Sequence, residues 1–480
     1  MRRLILISVF ASLMVLTDSI FVNSQPVTWV KIIGDSVKSM SGISVVQTYD
    51  GGYAVLAVKG VIAGDQKLLL FKLDNLGNLI WKKTLGDTSL SLYPIKLVQT
   101  NDSGFVVLGL QIGNFLMKTD KNGNFLWRKN YPDTALAEAR LYGFTKTYDN
   151  GFILCGNYTS FSPTLENGYL IKTDSVGNVK WQKGFHDSTS NNYFDIMQFP
   201  DNNYYVAGYT SNSASNRYAI TKKFKNNGEV IWTKLLLNPS GSFLITKVLN
   251  DKIAIVSNID GGGPSNVSLL DTSSNLIWQY NYSYPAFSYS INPMPSGSII
   301  ITGGVEFGGY DATIAMKKLS LDGDSISAKN FLYQGYSHIG AKNTANTNDN
   351  GFILTGGATV NNKSNILIIK TDSSFNAPII TNISYSHETT PNSFELYQNY
   401  PNPFNPSTSI KFNIPENGFV KIKIFDLSGK EVLKMGNQYC FKGLNKFIFD
   451  AIKYNLSSGI YFFSIEFKEQ IKSTKLVYLK

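Results

Sequence analysis

Only two cysteines, Cys155 and Cys440, occur in 480 residues. They fall in separate predicted domains, and there is no Cys-x-x-Cys, so a disulfide framework and a thiolate metal or redox motif are both excluded. Each reads as an idle, buried thiol. Histidine is nearly as rare: His186, His338 and His387 complete the inventory. No His-Glu-x-x-His and no Gly-x-Ser-x-Gly is present, so the chemistries those motifs carry are not available. No cofactor-binding or metal-ligating set is assigned. Past the first 24 residues no apolar run is long enough for a membrane-crossing helix. Charged residues are only 16%, which argues against a disordered chain.

The net charge is +10, but its placement matters. Leu396–Lys480 carries +6, whereas the 371 residues between position 24 and Leu396 carry only +3. A nucleic-acid binder concentrates basic charge on its working domain, so that class is rejected. What the chain has in abundance is aromatic residues, at 13%, and glycine, at 40. That is the composition of short strands joined by tight turns.

Residues 1–24 read as a secretory signal: Arg2 and Arg3, the apolar stretch Leu4–Leu16, then small residues at Val22-Asn-Ser24 before Gln25. Residues 25–381 read as a repeat array. Lys72-Leu-Asp-Asn-Leu-Gly-Asn-Leu-Ile-Trp81 recurs at Lys118–Trp127 and Lys172–Trp181, with degenerate copies ending at Trp232 and Trp278. The sixth tryptophan, Trp29, lies in a lone strand near the start. Each unit adds a turn such as Asp50-Gly-Gly52, Asp102-Ser-Gly104, Asp149-Asn-Gly151 or Asp349-Asn-Gly351, followed by an apolar strand. Those strands start near 53, 105, 152, 204, 253, 299 and 352, giving seven four-stranded units of about 50 residues, the period of propeller blades. The seventh unit has no Trp strand, and Val27–Asp35 is a Trp strand without a unit. The N-terminal strand is therefore expected to complete the last blade and close the ring.

Residues 382–395 read as a linker. Residues 396–480 read as a small Ig-like β-sandwich with strands at Ser409–Ile414, Val420–Asp426, Glu431–Met435, Lys446–Asp450, Gly459–Phe467 and Lys472–Leu479. The predicted fold is all-β: a seven-bladed β-propeller followed by this sandwich.

The C-terminal stretch resembles the type A C-terminal sorting domain of type IX secretion cargo from Bacteroidetes-type bacteria. The motifs are Asn399-Tyr-Pro-Asn-Pro-Phe-Asn-Pro-Ser-Thr408, Ile424-Phe-Asp-Leu-Ser-Gly-Lys430 and Leu456-Ser-Ser-Gly-Ile-Tyr-Phe462. The resemblance marks Asn399, Pro401, Asn402, Pro403, Phe404, Asn405, Pro406, Gly429, Gly459 and Tyr461 as sorting-motif residues. It implies Sec export, passage through the outer-membrane translocon of a Gram-negative bacterium, and removal of the domain by sortase-like machinery, leaving cargo anchored to the surface or released. The repeats resemble bacterial propeller repeats carrying Asp-Gly-Gly-Phe/Tyr and Asp-x-x-Gly-Asn-x-x-Trp. The Trp strand is also similar to the tryptophan-docking repeat of quinoprotein dehydrogenases, but an adjacent Cys-Cys pair and an eighth blade are missing.

Trp29, Trp81, Trp127, Trp181, Trp232 and Trp278 could form a ligand-stacking surface. One ring per unit at fixed register fits blade-to-blade packing better, each ring burying about 150–250 Å². Asp74, Asp120, Asp174 and Asp271 could be catalytic or calcium-binding. Replacement by Lys225 and Ser320 in other units fits a turn role instead. The sialidase Asp-box spacing is absent, and Asn346–Gly351 lacks the downstream Glu of a calcium loop. Glu138, Glu166 and Glu306 sit outside the strict repeat; loop acids are solvated by default. The reading is a secreted, non-catalytic propeller that binds protein or glycan through Val58–Lys67, Tyr158–Gly168, Thr210–Arg217 and Asp260–Ser265. The alternative is a carbohydrate-active enzyme with paired carboxylates in the central funnel.

Overall fold

The computed structural model describes residues 27–35, 37–60, 66–86, 91–111, 113–131, 139–159, 166–185, 190–211, 217–236, 243–258, 265–282, 287–307, 310–331, 338–360, 363–378, 384–385, 394–416, 418–440 and 443–480. The expected signal, His186, His387, Glu138, most of the linker and most of each expected binding loop lie outside these residues. The chain divides into two compact units, residues 1–32 with 38–383, and residues 33–37 with 384–480.

The first unit is a seven-bladed propeller. In blade 1 the strands Met40–Gln47, Tyr53–Lys59, Lys67–Leu73 and Leu79–Leu85 pair in simple up-and-down order. Blades 2 to 6 repeat the pattern, with innermost strands Tyr93–Gln99, Ala139–Lys146, Ser190–Gln198, Phe243–Lys247 and Phe287–Pro293. Blade 7 supplies His338–Asn346, Phe352–Val360 and Lys363–Thr371, and Trp29–Gly34 takes fourth place beside them. The N-terminal strand thus closes the ring. Across the closure, Asn343 Oδ1 accepts the Val45 N–H at 2.9 Å and Gln47 Oε1 accepts the Asn348 N–H at 2.7 Å.

Burial explains why the second and third strands are continuously apolar. Tyr53–Lys59 and Lys67–Leu73 bury both faces, one against each neighbouring blade. The core therefore lies between blades: Ala54, Leu56, Leu68 and Leu70 of blade 1 pack on Leu97, Phe105, Val107 and Phe115 of blade 2. Equivalent clusters join blades 2 to 3, 3 to 4, 4 to 5, 5 to 6 and 6 to 7. Hairpins joining strands one to two and three to four fall on one face of the disc. The ends of strands that frame the other connections fall on the opposite face.

The second unit is a seven-stranded sandwich. One sheet holds Glu395–Leu396, Ser407–Ile414 and Gly443–Asp450; the other holds Gly418–Asp426, Glu431–Cys440, Gly459–Phe467 and Gln470–Tyr478. Ile410, Phe412, Ile422, Ile424, Phe463 and Ile465 fill its core. Phe394, at the end of the expected linker, is buried in that core.

Candidate functional site

Each tryptophan leans on the next blade. Trp29, Trp181, Trp232 and Trp278 donate Nε1–H to Asn75, Asn226, Thr272 and Leu321 carbonyls at 3.2, 3.2, 3.2 and 2.7 Å. These carbonyls belong to the turn between strands three and four of the following blade. A Cβ at Gly77, Gly123, Gly177 or Gly228 would stand 2.7 to 3.0 Å from the Trp29, Trp81, Trp127 or Trp181 ring. The glycines satisfy two demands at once, a left-handed φ and the close approach of an indole.

Blade 6 departs from the rule. Ser327 pairs with Lys318 as Trp81 pairs with Lys72, so Ser327 holds the tryptophan slot. In the facing turn of blade 7, Phe375 replaces glycine at φ 66° and is fully buried. Its ring packs on Phe352 at 5.6 Å, as Trp81 packs on Phe105 at 6.1 Å. The missing aromatic is thus supplied from the opposite side of the same junction.

Asp74, Asp120, Asp174 and Asp271 spend their carboxylates inside their own turns. Asp74 Oδ1 accepts the N–H of Leu76 and Asn78 at 2.9 and 2.7 Å, and Oδ2 accepts Asn78 Nδ2–H at 3.0 Å. The other three repeat this set. Ser320 Oγ performs the same task for Asp322 and Asp324 N–H.

A second device is hidden in the sequence. Lys72, Lys118, Lys172 and Lys370 are buried and pair with Asp50, Asp102, Asp149 and Asp349 at 2.7 to 2.9 Å. Each aspartate also takes a Thr hydroxyl and a Gly N–H, as Asp50 does from Thr48 and Gly52. Partial burial of Asp102 works to raise its pKa, but hydrogen bonds from Lys118, Thr100 and Gly104 outweigh it and hold it at about 2. The turn was legible as a hairpin; the buried lysine was not, because lysine ordinarily reads as surface. The signal lay in covariation among units. Thr-x-Asp-x-Gly accompanies the lysine in blades 1, 2, 3 and 7 and Asp201 accompanies Lys223 in blade 4, whereas blade 5 has Asn250 for Asp and Leu269 for Lys, and blade 6 alone keeps the lysine, Lys318, with Ser296 in place of Asp.

The innermost strands enclose a central cavity of about 430 Å³. Six of them carry a one-residue β-bulge just before Ser44, Lys96, Gly143, Asp195, Ser290 and Asn343. These residues form a girdle of hooks. Ser44 Oγ accepts Leu97 N–H at 3.2 Å, Asp195 Oδ2 accepts Ile245 N–H at 3.3 Å, and Ser290 Oγ–H donates to the Thr344 carbonyl at 3.1 Å. Lys96 of blade 2 reaches Asp195 of blade 4 at 2.9 Å, skipping blade 3, whose residue there is Gly143. Burial works to discharge Lys96, yet Asp195 wins and raises its pKa. Burial and Asp195 push the Cys155 thiol well up, so it stays protonated.

Of the suspected acids, Glu166 is drawn against blade 4 by Asn192 Nδ2–H at 2.5 Å and Tyr209 O–H at 3.3 Å. Glu306 lies on the strand Ile299–Phe307 of blade 6, and His338 opens the strand His338–Asn346 of blade 7. Among the described residues no three His, Cys, Asp or Glu side chains converge as a metal site, and no helix is long and apolar enough to cross a membrane.

In the sandwich the Pro-Asn stretch folds onto the last strand. Asn399 is buried and donates to Pro401 O and Thr408 Oγ1 at 3.1 and 2.9 Å. Asn402 Oδ1 accepts Val477 N–H at 2.8 Å. Phe404 enters the core and stacks on Tyr478 at 5.2 Å, and Pro406 O accepts Ala451 N–H. Pro401, Pro403 and Pro406 follow cis peptide bonds; Asn405 lies between the last two. Gly429 adopts φ 83° in a turn capped by Asp426, and Tyr461 O–H donates to Ser457 O at 2.8 Å, beside Gly459.

Three solved structures share the β-rich outline. A protein of unknown function from Bacteroides caccae is 10% identical, with 61% of this chain and 94% of that one covered and a TM-score of 0.38. A protein of unknown function from Dyadobacter fermentans gives 10%, 71%, 97% and 0.45. The polysaccharide lyase Uly1 gives 9%, 69%, 90% and 0.46. No curated protein matches the chain. Residues 398–479 match the secretion system C-terminal sorting domain family. The chain is therefore cargo of the type IX secretion system, a propeller carrying a sorting domain that sends it to the cell surface or beyond.

Proposed function

We propose that residues 25–381 are a non-catalytic binding module for an extracellular protein or glycan, that 382–395 link it to the sorting domain, and that 396–480 engage the translocon and its processing machinery. The observation that carries the binding reading is the state of Asp195. Hydrolysis by paired carboxylates requires one acid free to move a proton and another free to attack or to activate water. Asp195 is the one carboxylate on the described cavity wall, and it is occupied by Lys96 and the Ile245 N–H. Its role is to hold blades 2, 4 and 5 in register. On this reading the contact surface belongs to the connections between strands two and three, the loops Val58–Lys67, Tyr158–Gly168, Thr210–Arg217 and Asp260–Ser265 of the sequence.

The test is a screen of the purified protein against polysaccharides and matrix proteins, reading retention and reducing-end release together. Retention without release is expected. Release of reducing ends overturns the reading in favour of a glycan-cleaving enzyme.

A further inference from the structure

In a ring of repeats, a slot with one geometry and many chemistries is a slot that the architecture leaves free. The tryptophan slot is the opposite case, holding the same residue in six blades. The bulge residues are the free case. The register shifts make Ile43, Ile95, Tyr142, Phe194, Tyr289 and Lys342 the extra residue of each bulge. All six line the central cavity. A bulge re-aims a side chain away from the regular pleat, a device enriched beside binding and active sites.

Their distribution around the ring is uneven. Blades 1 and 2 contribute aliphatic residues. Blades 3 and 4 contribute Tyr142 and Phe194, whose rings lie 5.0 Å apart at 33°, with Tyr209 a further 5.8 Å beyond Phe194. Blades 6 and 7 contribute Tyr289 and Lys342, the ammonium 5.0 Å from the ring centre. Lys96 and Asp195 cancel one another. Lys342 is exposed, and among the described residues no carboxylate pairs with it. The described wall thus carries one net positive charge, set among apolar walls that strengthen its field. The cavity, about 430 Å³, lies in the ~300–1,000 Å³ range of small-ligand sites, which combine apolar walls with a few placed polar groups.

We infer that the central channel binds an acidic sugar residue of an extracellular polysaccharide, its carboxylate or sulfate on Lys342 and a pyranose face on the aromatic pair Tyr142 and Phe194. The inference rests on the binding-module reading and narrows it. The aromatic rings offer flat apolar faces to sugar C–H groups. The ammonium, held over Tyr289, offers a charge-assisted hydrogen bond that a neutral sugar cannot use.

The test measures affinity of the full-length protein for a hexuronate oligosaccharide, a sulfated oligosaccharide and a neutral hexose oligosaccharide of equal length. Wild type, Lys342→Gln and Tyr142→Ala are compared, each checked for an unchanged thermal transition. Lys342→Gln changes one exposed side chain and keeps the fold accessible should Tyr142→Ala lose it. The expected result is binding of an acidic oligosaccharide, weaker in higher salt, with little binding of the neutral one. Lys342→Gln is expected to weaken the acidic ligand about tenfold and to flatten its salt dependence. Acidic binding unchanged in Lys342→Gln overturns the channel site while leaving the binding module standing. Retention of the neutral glycan alone, or of matrix proteins alone, does the same. No retention of these oligosaccharides, together with no retention of any polysaccharide or matrix protein in the screen above, overturns both.

Discussion

The junction between blades 6 and 7 offers a double-mutant cycle on one aromatic slot. Phe375 is fully buried on Phe352, so Phe375→Gly opens a cavity costing about 3–5 kcal/mol. Relief of the left-handed φ at that residue returns about 1–2 kcal/mol, leaving a net loss of about 1–4 kcal/mol. Ser327→Trp alone drives an indole into space that Phe375 occupies, an overpacking cost of about 1–3 kcal/mol. Together they recreate the pairing seen where Trp81 meets Gly123, with the ring at 2.7 Å from a Cβ placed on that glycine. The double variant should therefore lie within about 1 kcal/mol of wild type, a coupling of about 2–7 kcal/mol, the sum of the two single losses. Thermal unfolding reads this, since each kcal/mol moves Tm by about 1 °C in a propeller of this size. Both singles should melt about 1–4 °C low and the double close to wild type. A double variant that loses the sum of the two single losses refutes the idea that positions 375 and 327 share one slot.

Other perturbations reach different layers. The folded pKa of Asp102 is depressed to about 2, so the unfolded state takes up protons first and stability falls as pH drops from about 4 towards 2. Asp50, Asp149 and Asp349 are lowered too and act in the same direction. Acid titration of the melting temperature should show that slope, and Asp102→Asn should make it shallower. Gly143→Ala would put a Cβ 2.6 Å from Phe194 O, where backbone must yield, and should cost about 1–3 kcal/mol by thermal or urea unfolding. Gly429→Ala meets open space and only the φ of 83°, so its cost should stay near 1 kcal/mol in the same assay. Asn399→Ala removes two buried hydrogen bonds that shape the Pro-Asn loop; cell fractionation should show less protein at the surface or in the medium.

The architecture was legible because its signals are local and repeated. Tyr53, Phe105, Phe152, Tyr204, Ile253, Ile299 and Phe352 open the second strands, where the turn pattern places them. The orphan strand at Trp29 and the unit lacking one found each other for the same reason. Other features depend on pairing, which a linear pattern does not carry. The bulges at Ile43 to Lys342 exist only relative to a partner strand. Phe375 reads as a decayed repeat until Ser327 is placed opposite. The Lys96–Asp195 pair joins blades 2 and 4 because Gly143 leaves the way clear, a relation among three units at once. The buried lysines escaped because a charged residue at an apolar register looks like an exception, until its aspartate is found 22 residues earlier at Asp50 or 16 earlier at Asp102.

Sealing the ring with its first strand has a consequence in time. The first strand of the ring to be synthesised, Trp29–Gly34, must wait for Lys363–Thr371 before it has its blade neighbour. Until then the blade at each end of a growing arc exposes an unpacked apolar face, and Lys363–Thr371 lacks a partner strand; these are surfaces to which other chains can add. Folding of the arc can proceed blade by blade, but closure is a single late event across some 330 residues. A nascent or threading chain is thus marked as unfinished until Lys363–Thr371 is available, and loss of the segment around Trp29 would leave six blades intact, the seventh without its fourth strand and the circle open.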